Sequence, residues 1–283
     1  MRLARIGAVG EEHPAVQDPD GLWRDLSALT PDLTRDFLAA NLPGVREALA
    51  AATLPRLEAP GQARYGPPLA NPGKIVCIGR NYREHAAETG DEVPPEPIVF
   101  LKTPDTVVGP DDEVLIPRRS TKTDWEVELA VVIGRRARYL STEDEAAACI
   151  AGYTISNDVS EREFQLERGG QWDKGKNCET FNPLGPWLVT ADEIADPQSL
   201  DLRLWVNDEP RQHANTKDMV FSARYLVFYL SQFMVLNPGD VINTGTPGGV
   251  ALGDPEIPYL RAGDVLRLEI DGLGGQRQVV GQA

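Results

Sequence analysis

Apolar positions fall in short runs along the chain, and Gly, Pro, Asp and Asn break those runs every few residues. Leu3, Ile6 and Val9 are spaced apart at the start, the chain turns at Asp18-Pro19-Asp20-Gly21, and Leu22-Trp23-Arg24-Asp25-Leu26 follows, the pattern of a small hairpin. Helical spacing then covers residues 31–40 and 43–52. A Pro/Gly-rich passage runs from Pro60-Gly61 through Gly66-Pro67-Pro68 to Pro72-Gly73. It is the best linker and sets a boundary near residue 70. Beyond it, residues 74–79, 97–102, 126–133, 150–155 and 241–243 read as strands, and 82–89, 161–168 and 222–234 as helices. Short strands dominate. They predict an α+β chain: a small N-terminal α/β domain (1–70), then a catalytic domain (71–283) built round a mixed, rolled β-sheet rather than a βαβ repeat.

The strand at 126–133 carries the first candidate chemistry. Glu126 and Glu128 are two residues apart and run into Leu129-Ala130-Val131-Val132-Ile133. On a strand they share a face, about 6.5–7 Å apart. Two carboxylates at a core edge repel each other unless a cation lies between them. Asp158 follows the apolar run 150–155 and is placed to add a third oxygen from a neighbouring strand. Such a set suits a hard cation, Mg²⁺, Mn²⁺ or Ca²⁺, rather than zinc. Spacing alone equally allows a solvated strand face with Asp158 in a turn.

Residues 79–88 leave a buried strand and open a helix on which His85 and Glu88, three apart, share a side. A carboxylate beside an imidazole fixes its tautomer and raises its basicity, as a water-activating base requires; a surface ion pair has the same spacing. His13 falls in an acidic, loop-like stretch and His213 in a segment expected to be a loop. Lys174 and Lys176 lie in a polar loop, 172–181, that Pro183-Leu184-Gly185-Pro186 closes. A lysine held there would stabilise a developing enolate; otherwise both lysines are simply solvated. Thr244-Gly245-Thr246-Pro247-Gly248-Gly249 follows a strand without a GxxxxGK[ST] pattern, so nucleotide binding is not expected.

Composition narrows the field. The 283 residues are 41% hydrophobic and 25% charged, ordinary for a globular chain, and the net charge is −15. That charge argues against nucleic acid or an anionic membrane as partner. No run is long enough for a signal peptide or a membrane span. Cys77, Cys149 and Cys178 are odd in number and far apart, as expected for reduced thiols in the cytoplasm.

Taken in order, these segments resemble the fumarylacetoacetate hydrolase superfamily. The residues that carry the likeness are Ile78-Gly79-Arg80-Asn81-Tyr82 with His85, Asp124-Trp125-Glu126-Val127-Glu128 and Asn157-Asp158-Val159-Ser160. Gln165, Gly175-Lys176, Thr180-Phe181, Gly185-Pro186 and Thr244-Gly245-Thr246-Pro247 complete it. The match covers nearly all of residues 70–283, and residues 1–70 look like the N-terminal domain of one branch. Members of that branch are hydrolases of 2,4-diketo-3-deoxy sugar acids, acylpyruvate hydrolases or ureidoglycolate lyases.

The resemblance implies that Glu126, Glu128 and Asp158 hold a divalent metal, usually Mg²⁺ or Mn²⁺. It implies His85 and Glu88 as the water-activating pair, Lys176 as the charge-stabilising group, and a homodimer. Arg80, Asn81, Lys102, Arg162, Gln165, Thr180, Gly245 and Thr246 become candidate substrate contacts. Asn177 and Glu179, where many relatives have Ser and Asp, are expected on the pocket wall. The reading is a metal-dependent hydrolase that cleaves the C3–C4 bond of a small anionic 2,4-dioxo acid to pyruvate and a carboxylic acid. A basic ring of Arg80, Lys102, Arg162 and Lys176 is expected to attract a dianionic substrate. Arg168, Gln171 and Lys174 are expected to bond a hydroxylated tail. A metal-dependent 2-oxo-acid decarboxylase or isomerase, a ureidoglycolate lyase and a non-catalytic binding module are the alternatives.

Overall fold

A computed structural model of the chain describes residues 1–57 and 63–283. Its main sheet runs in the order Trp23–Asp25, His13–Gln17, Arg2–Ile6, Asn182–Thr190, Ile150–Asn157, Val127–Ile133, Val241–Asn243, Ile75–Gly79 and Ile98–Lys102. Every pair along this path is antiparallel except Val241–Asn243 with Ile75–Gly79. A second sheet of five strands contains Glu209–Asn215, Asp201–Val206, Val265–Ile270, Gly274–Gln282 and Val114–Ile116. The mixed sheets and few short helices make an α+β fold, as the punctuated strand pattern predicts.

The turn at residues 18–21 joins His13–Gln17, rather than the run from Leu3 to Val9, to Trp23–Asp25. The strand Arg2–Ile6 pairs with His13–Gln17 and with Asn182–Thr190, so residues from before position 70 extend the main sheet. Pro60 and Gly61 of the expected linker lie outside the described residues. In the same passage, Tyr65–Gly66 pairs with Arg5 and Ile6. The helix expected over 31–40 begins only at Arg35, where Thr34 caps it by accepting the Phe37 N–H at 3.2 Å. Ser222 does the same for Ala223–Leu230, which ends short of Met234. The helix expected over 161–168 is instead a strand, Ser160–Glu161, followed by one π-type turn, Glu163–Glu167. His13 and His213 lie in strands rather than loops, and residues 183–186 belong to the strand Asn182–Thr190.

Strand Val127–Ile133 separates two cores. Val127, Leu129, Val131 and Ile133 share one with Leu202, Leu204, Leu266 and Leu268 of the second sheet and with Leu226, Val227 and Leu230 of the helix. Ala130 and Val132 share the other with Leu3, Val16, Leu26 and Phe37. Glu126 and Glu128 have the parity of Ala130 and Val132, so they lie where that second stripe stops being apolar. Burial of each Leu or Val contributes about 1.5–3 kcal/mol, which helps offset the desolvation of the charges at the strand's end.

Gly152 sits where the central strands approach most closely: a Cβ there would run into the Val189 carbonyl oxygen and the Thr190 Cα. Backbone cannot swing aside as a side chain can. Gly152→Ala is expected to cost about 1–3 kcal/mol or more in urea unfolding, as overpacked cores do; an unchanged midpoint would refute this close packing.

Candidate active site

The antiparallel register pairs Val127 with Asn157 and Glu128 with Ser156, which brings Asp158 opposite Glu126. The Asp158 N–H donates to the Glu126 carbonyl at 3.0 Å and closes that step. Register thus delivers the third carboxylate. Oxygens of Glu126, Glu128 and Asp158 lie within 4.8 Å of one another, and all three residues are buried. The solvated-face alternative is therefore excluded.

Cations surround them. Lys176 Nζ is 2.7 Å from Glu126 Oε2 and 3.1 Å from Asp158 Oδ2. Lys102 Nζ pairs with Asp158 Oδ1. Arg162 donates from Nε to Asp124 Oδ2 at 2.8 Å and from Nη1 to Gln165 Oε1 at 3.0 Å, and its Nη2 lies 2.8 Å from Glu126 Oε1. Among the described residues Glu128 has no such ion-pair neighbour, and it accepts the Gly245 N–H at 2.7 Å. Burial pushes the Glu128 carboxyl well above its ordinary value, and the Asp158 and Glu126 charges push it further. Burial acts the same way on Glu126, but Lys176 and Arg162 overcome it and hold that carboxyl well below the usual range.

This geometry suits a divalent cation. Both oxygens of Asp158 are buried without a hydrogen-bond donor of good alignment. Three convergent oxygens, no nearby imidazole ligand and an acid that ionises only with help describe a hard-cation site.

Across the cavity His85 and Glu88 lie on helix Arg83–Glu88, Nδ1 to Oε1 at 2.7 Å. The other Glu88 oxygen accepts the Gly249 N–H at 2.7 Å. Asp124 takes the N–H groups of Ala251 and Leu252 at 2.9 and 3.1 Å. The loop that steadies Glu88 is thereby tied to the residue that anchors Arg162.

A cavity of about 190 Å³ is lined by Arg80, His85, Glu88, Glu126, Glu128, Arg162, Gln165, Lys176 and Thr246. Four candidate contacts lie behind its wall. Asn81 bonds the backbone of Phe221 and Thr244. Lys102 is sealed against Asp158 and the carbonyls of Val159 and Phe181. Thr180 accepts from the Leu115 N–H at 2.8 Å. Gly245 serves Glu128 and has φ +97°, where a Cβ would meet that of Asn81 at 2.7 Å.

The expected free basic ring does not exist, because Arg80, Lys102, Arg162 and Lys176 each already face a carboxylate. Lys176 is buried on a single helical turn, Asp173–Lys176, rather than in a loop. Lys174 bonds the Arg168 carbonyl and Arg168 bonds Glu163 at the surface, so neither lines the cavity. Asn177 braces the backbone at Leu101, Thr103 and Asp173 and Glu179 is exposed, so neither forms the pocket wall. Trp172 and Asp91, given no role by the sequence, do line it.

A buried carboxylate triad suited to a hard cation, facing a His–Glu pair, fits an enzyme of hydrolase type. The family model described as fumarylacetoacetate (FAA) hydrolase C-terminal matches residues 74–281, and the chain belongs to that family. It is 49% identical to the 2,4-didehydro-3-deoxy-L-rhamnonate hydrolase of Sphingomonas sp. strain SKA58, over 100% of this chain and 96% of the relative. The structure of maleylpyruvate hydrolase from Sphingobium sp. SYK-6, in complex with manganese(II) and pyruvate, is similar at TM-score 0.82 and 32% identity, covering 100% of both chains. That of 5-carboxymethyl-2-hydroxymuconate delta-isomerase from Mycobacterium smegmatis is similar at 0.76 and 31%, covering 100% and 99%.

Because Glu128 has a higher pKa folded than unfolded, ionising it costs stability as pH rises from the ordinary carboxylate range. A cation needs the ionised form, so its binding expels that proton and tightens with pH. The gain in Tm on adding excess Mn²⁺ is expected to grow as pH rises above the ordinary carboxylate range; a gain independent of pH in a thermal-shift titration would count against it.

Proposed function

We propose that the protein is a divalent-metal-dependent hydrolase that cleaves the C3–C4 bond of a small 2,4-dioxo acid to pyruvate and a second carboxylic acid. One observation carries the reading: the His85–Glu88 pair opens onto the same cavity as Glu126 and Glu128 of the carboxylate triad. Hydrolysis needs a base for water, whereas decarboxylation and isomerisation of a 2-oxo acid do not. The isomerase reading has support of its own, since three similar structures carry isomerase names. The likeness to a diketo-deoxy sugar-acid hydrolase supports a sugar-acid-derived substrate.

A divalent cation held by Glu126, Glu128 and Asp158, Mg²⁺ on this reading with Mn²⁺ or Ca²⁺ as alternatives, would supply Lewis-acid polarisation of the 2-oxo acid end. Glu88 accepts the Nδ1–H of His85 and so leaves Nε2 free to take a proton from water. The water oxygen bonds to C4, the C3–C4 bond breaks, and its electron pair goes to C3. Lys176 balances the negative charge of the resulting pyruvate enolate. His85 returns its proton to C3, so that one water is consumed in all. Arg162, Gln165 and Thr246 are the proposed contacts along the substrate.

His85→Ala is expected to lower kcat on a cleaved 2,4-dioxo acid by roughly 10²–10⁴ while leaving Mn²⁺ affinity nearly unchanged. A screen of such acids with added metal, following loss of enol absorbance and formation of pyruvate, identifies the substrate. Cleavage that survives the substitution intact while decarboxylation or tautomerisation falls would transfer the assignment to the decarboxylase or isomerase class.

We further propose a homodimer whose catalytic domains (71–283) pack together with the 1–70 portions outside. Leu226, Val227 and Leu230 already face the chain's own core, so support comes from the outer side of their helix. There Phe221 stacks on Tyr225 and Tyr225 on Tyr229, while Phe233, just past the helix end and 67% exposed, lies tilted against Tyr229. Sedimentation is expected to give a dimer at micromolar concentration, and a monomer would refute it.

A further inference from the structure

The mouth of the cavity is built by Arg80, Thr89, Asp91 and Trp172. Arg80 leaves the strand Ile75–Gly79 with φ +55°, an uncommon conformation for a side chain-bearing residue, and its guanidinium stacks on Trp172, 5.5 Å from the ring centroid. Its Nη2 lies 2.7 Å from Asp91 Oδ2, which also accepts the Thr89 hydroxyl at 3.0 Å. The Asp91 N–H bonds the Ala86 carbonyl, which ties this carboxylate to the helix bearing His85 and Glu88. Deeper in, Arg162 and Lys176 are committed to Asp124, Glu126 and Asp158. Arg80 is thus the lining cation placed to meet the far end of a substrate, and Asp91 already neutralises it.

We infer that Asp91 is a specificity-determining residue: by occupying Arg80 it rejects 2,4-dioxo acids that end in a second carboxylate and accepts those with an uncharged, hydroxylated tail. This rests on the hydrolase reading above and adds to it the class of tail. A distal carboxylate approaching Arg80 meets the Asp91 charge, and like charges at a partly desolvated mouth disfavour the wrong ligand. A tail hydroxyl instead donates to Asp91 and accepts from Arg80, so both members of the pair stay satisfied.

The test compares kcat/KM, with Mn²⁺ present, for a hydroxylated, uncharged-tailed 2,4-dioxo acid and for one ending in a carboxylate. The parent protein is expected to prefer the first. Asp91→Asn, which keeps the shape and removes the charge, is expected to shift the ratio toward the second by tenfold or more, about 1.4 kcal/mol. The double variant Arg80→Gln/Asp91→Asn is expected to lose that gain, because the uncovered cation produces it. Calorimetric binding of 2-oxoadipate, which has the distal carboxylate but no 4-oxo group, gives a readout without turnover and is expected to tighten tenfold or more in Asp91→Asn. Asp91 is 31% exposed, and Asp91→Ser repeats the comparison if the amide disturbs the Thr89 contact. A shift below tenfold, a gain that survives in the double variant, or a parent that prefers the carboxylate-ended acid overturns this inference alone. Failure to cleave any 2,4-dioxo acid overturns the hydrolase reading and this inference with it.

Discussion

A row of buried charges of alternating sign holds the site together: Asp124, Arg162, Glu126, Lys176, Asp158 and Lys102 each pair with the next. None is more than 4% exposed. Charges this deep are expensive to desolvate, and each persists because its neighbours carry the opposite sign. Glu128 is the member left over. Four carboxylates against three cations leave one negative charge, and burial beside Asp158 and Glu126 pushes the Glu128 carboxyl upward, which favours neutralising it with a proton. A divalent cation does the same work and leaves a positive excess facing the substrate. Affinity for the metal and electrostatic balance of the core are thus one property.

The same row ties remote parts of the chain into one frame. Lys102 ends the sheet's edge strand, Glu126 and Asp158 lie across one register step, and Lys176 caps a single helical turn. Asp124 carries the connection out to the 249–252 loop, whose backbone holds Glu88 against His85. Gly249 of that loop is required by packing: its φ is +102°, and a Cβ there would meet the Arg211 carbonyl oxygen at 1.9 Å. Displacing the loop therefore disturbs the dyad and the charge row together.

Much of this was legible in residue order, and the limit follows from distance along the chain. The carboxylate pair and His85–Glu88 are local, so the periodicities of strand and helix place them without tertiary information. Asp158 needed only the pairing of two adjacent apolar runs. The free basic ring failed because each cation finds its partner far away in sequence: Lys102 at Asp158, Arg162 at Asp124. Charge type can be read from a sequence, but charge pairing cannot. Arg168 and Lys174 failed for a related reason, since one π-type turn at Glu163–Glu167 directs their bonds to each other and to Glu163. The second sheet was not read, although Leu202, Leu204 and Val206, and Leu266, Leu268 and Ile270, recur at period two. Asn182–Thr190 is buried along almost its whole length and carries two prolines, so alternation gives it no signal.

The two ends of the cavity work under different electrostatic rules. At the floor, every group is desolvated and the balance is short of one positive charge until a proton or a cation arrives; a carboxylate with an adjacent oxo group complements that arrangement. At the mouth, Arg80 and Asp91 are each roughly a third exposed and already cancel, so solvent and tail hydroxyls can exchange there at little cost. Orientation follows from the difference. The acid end of a substrate is drawn inward, where its charge is needed, and the tail remains where charge is not. On the proposed reading, the bond between C3 and C4 would lie between the floor and the mouth, within the cavity that His85 lines. A site with a free cation at both ends would accept a dianion in either direction, and the pairing of Arg80 removes that ambiguity.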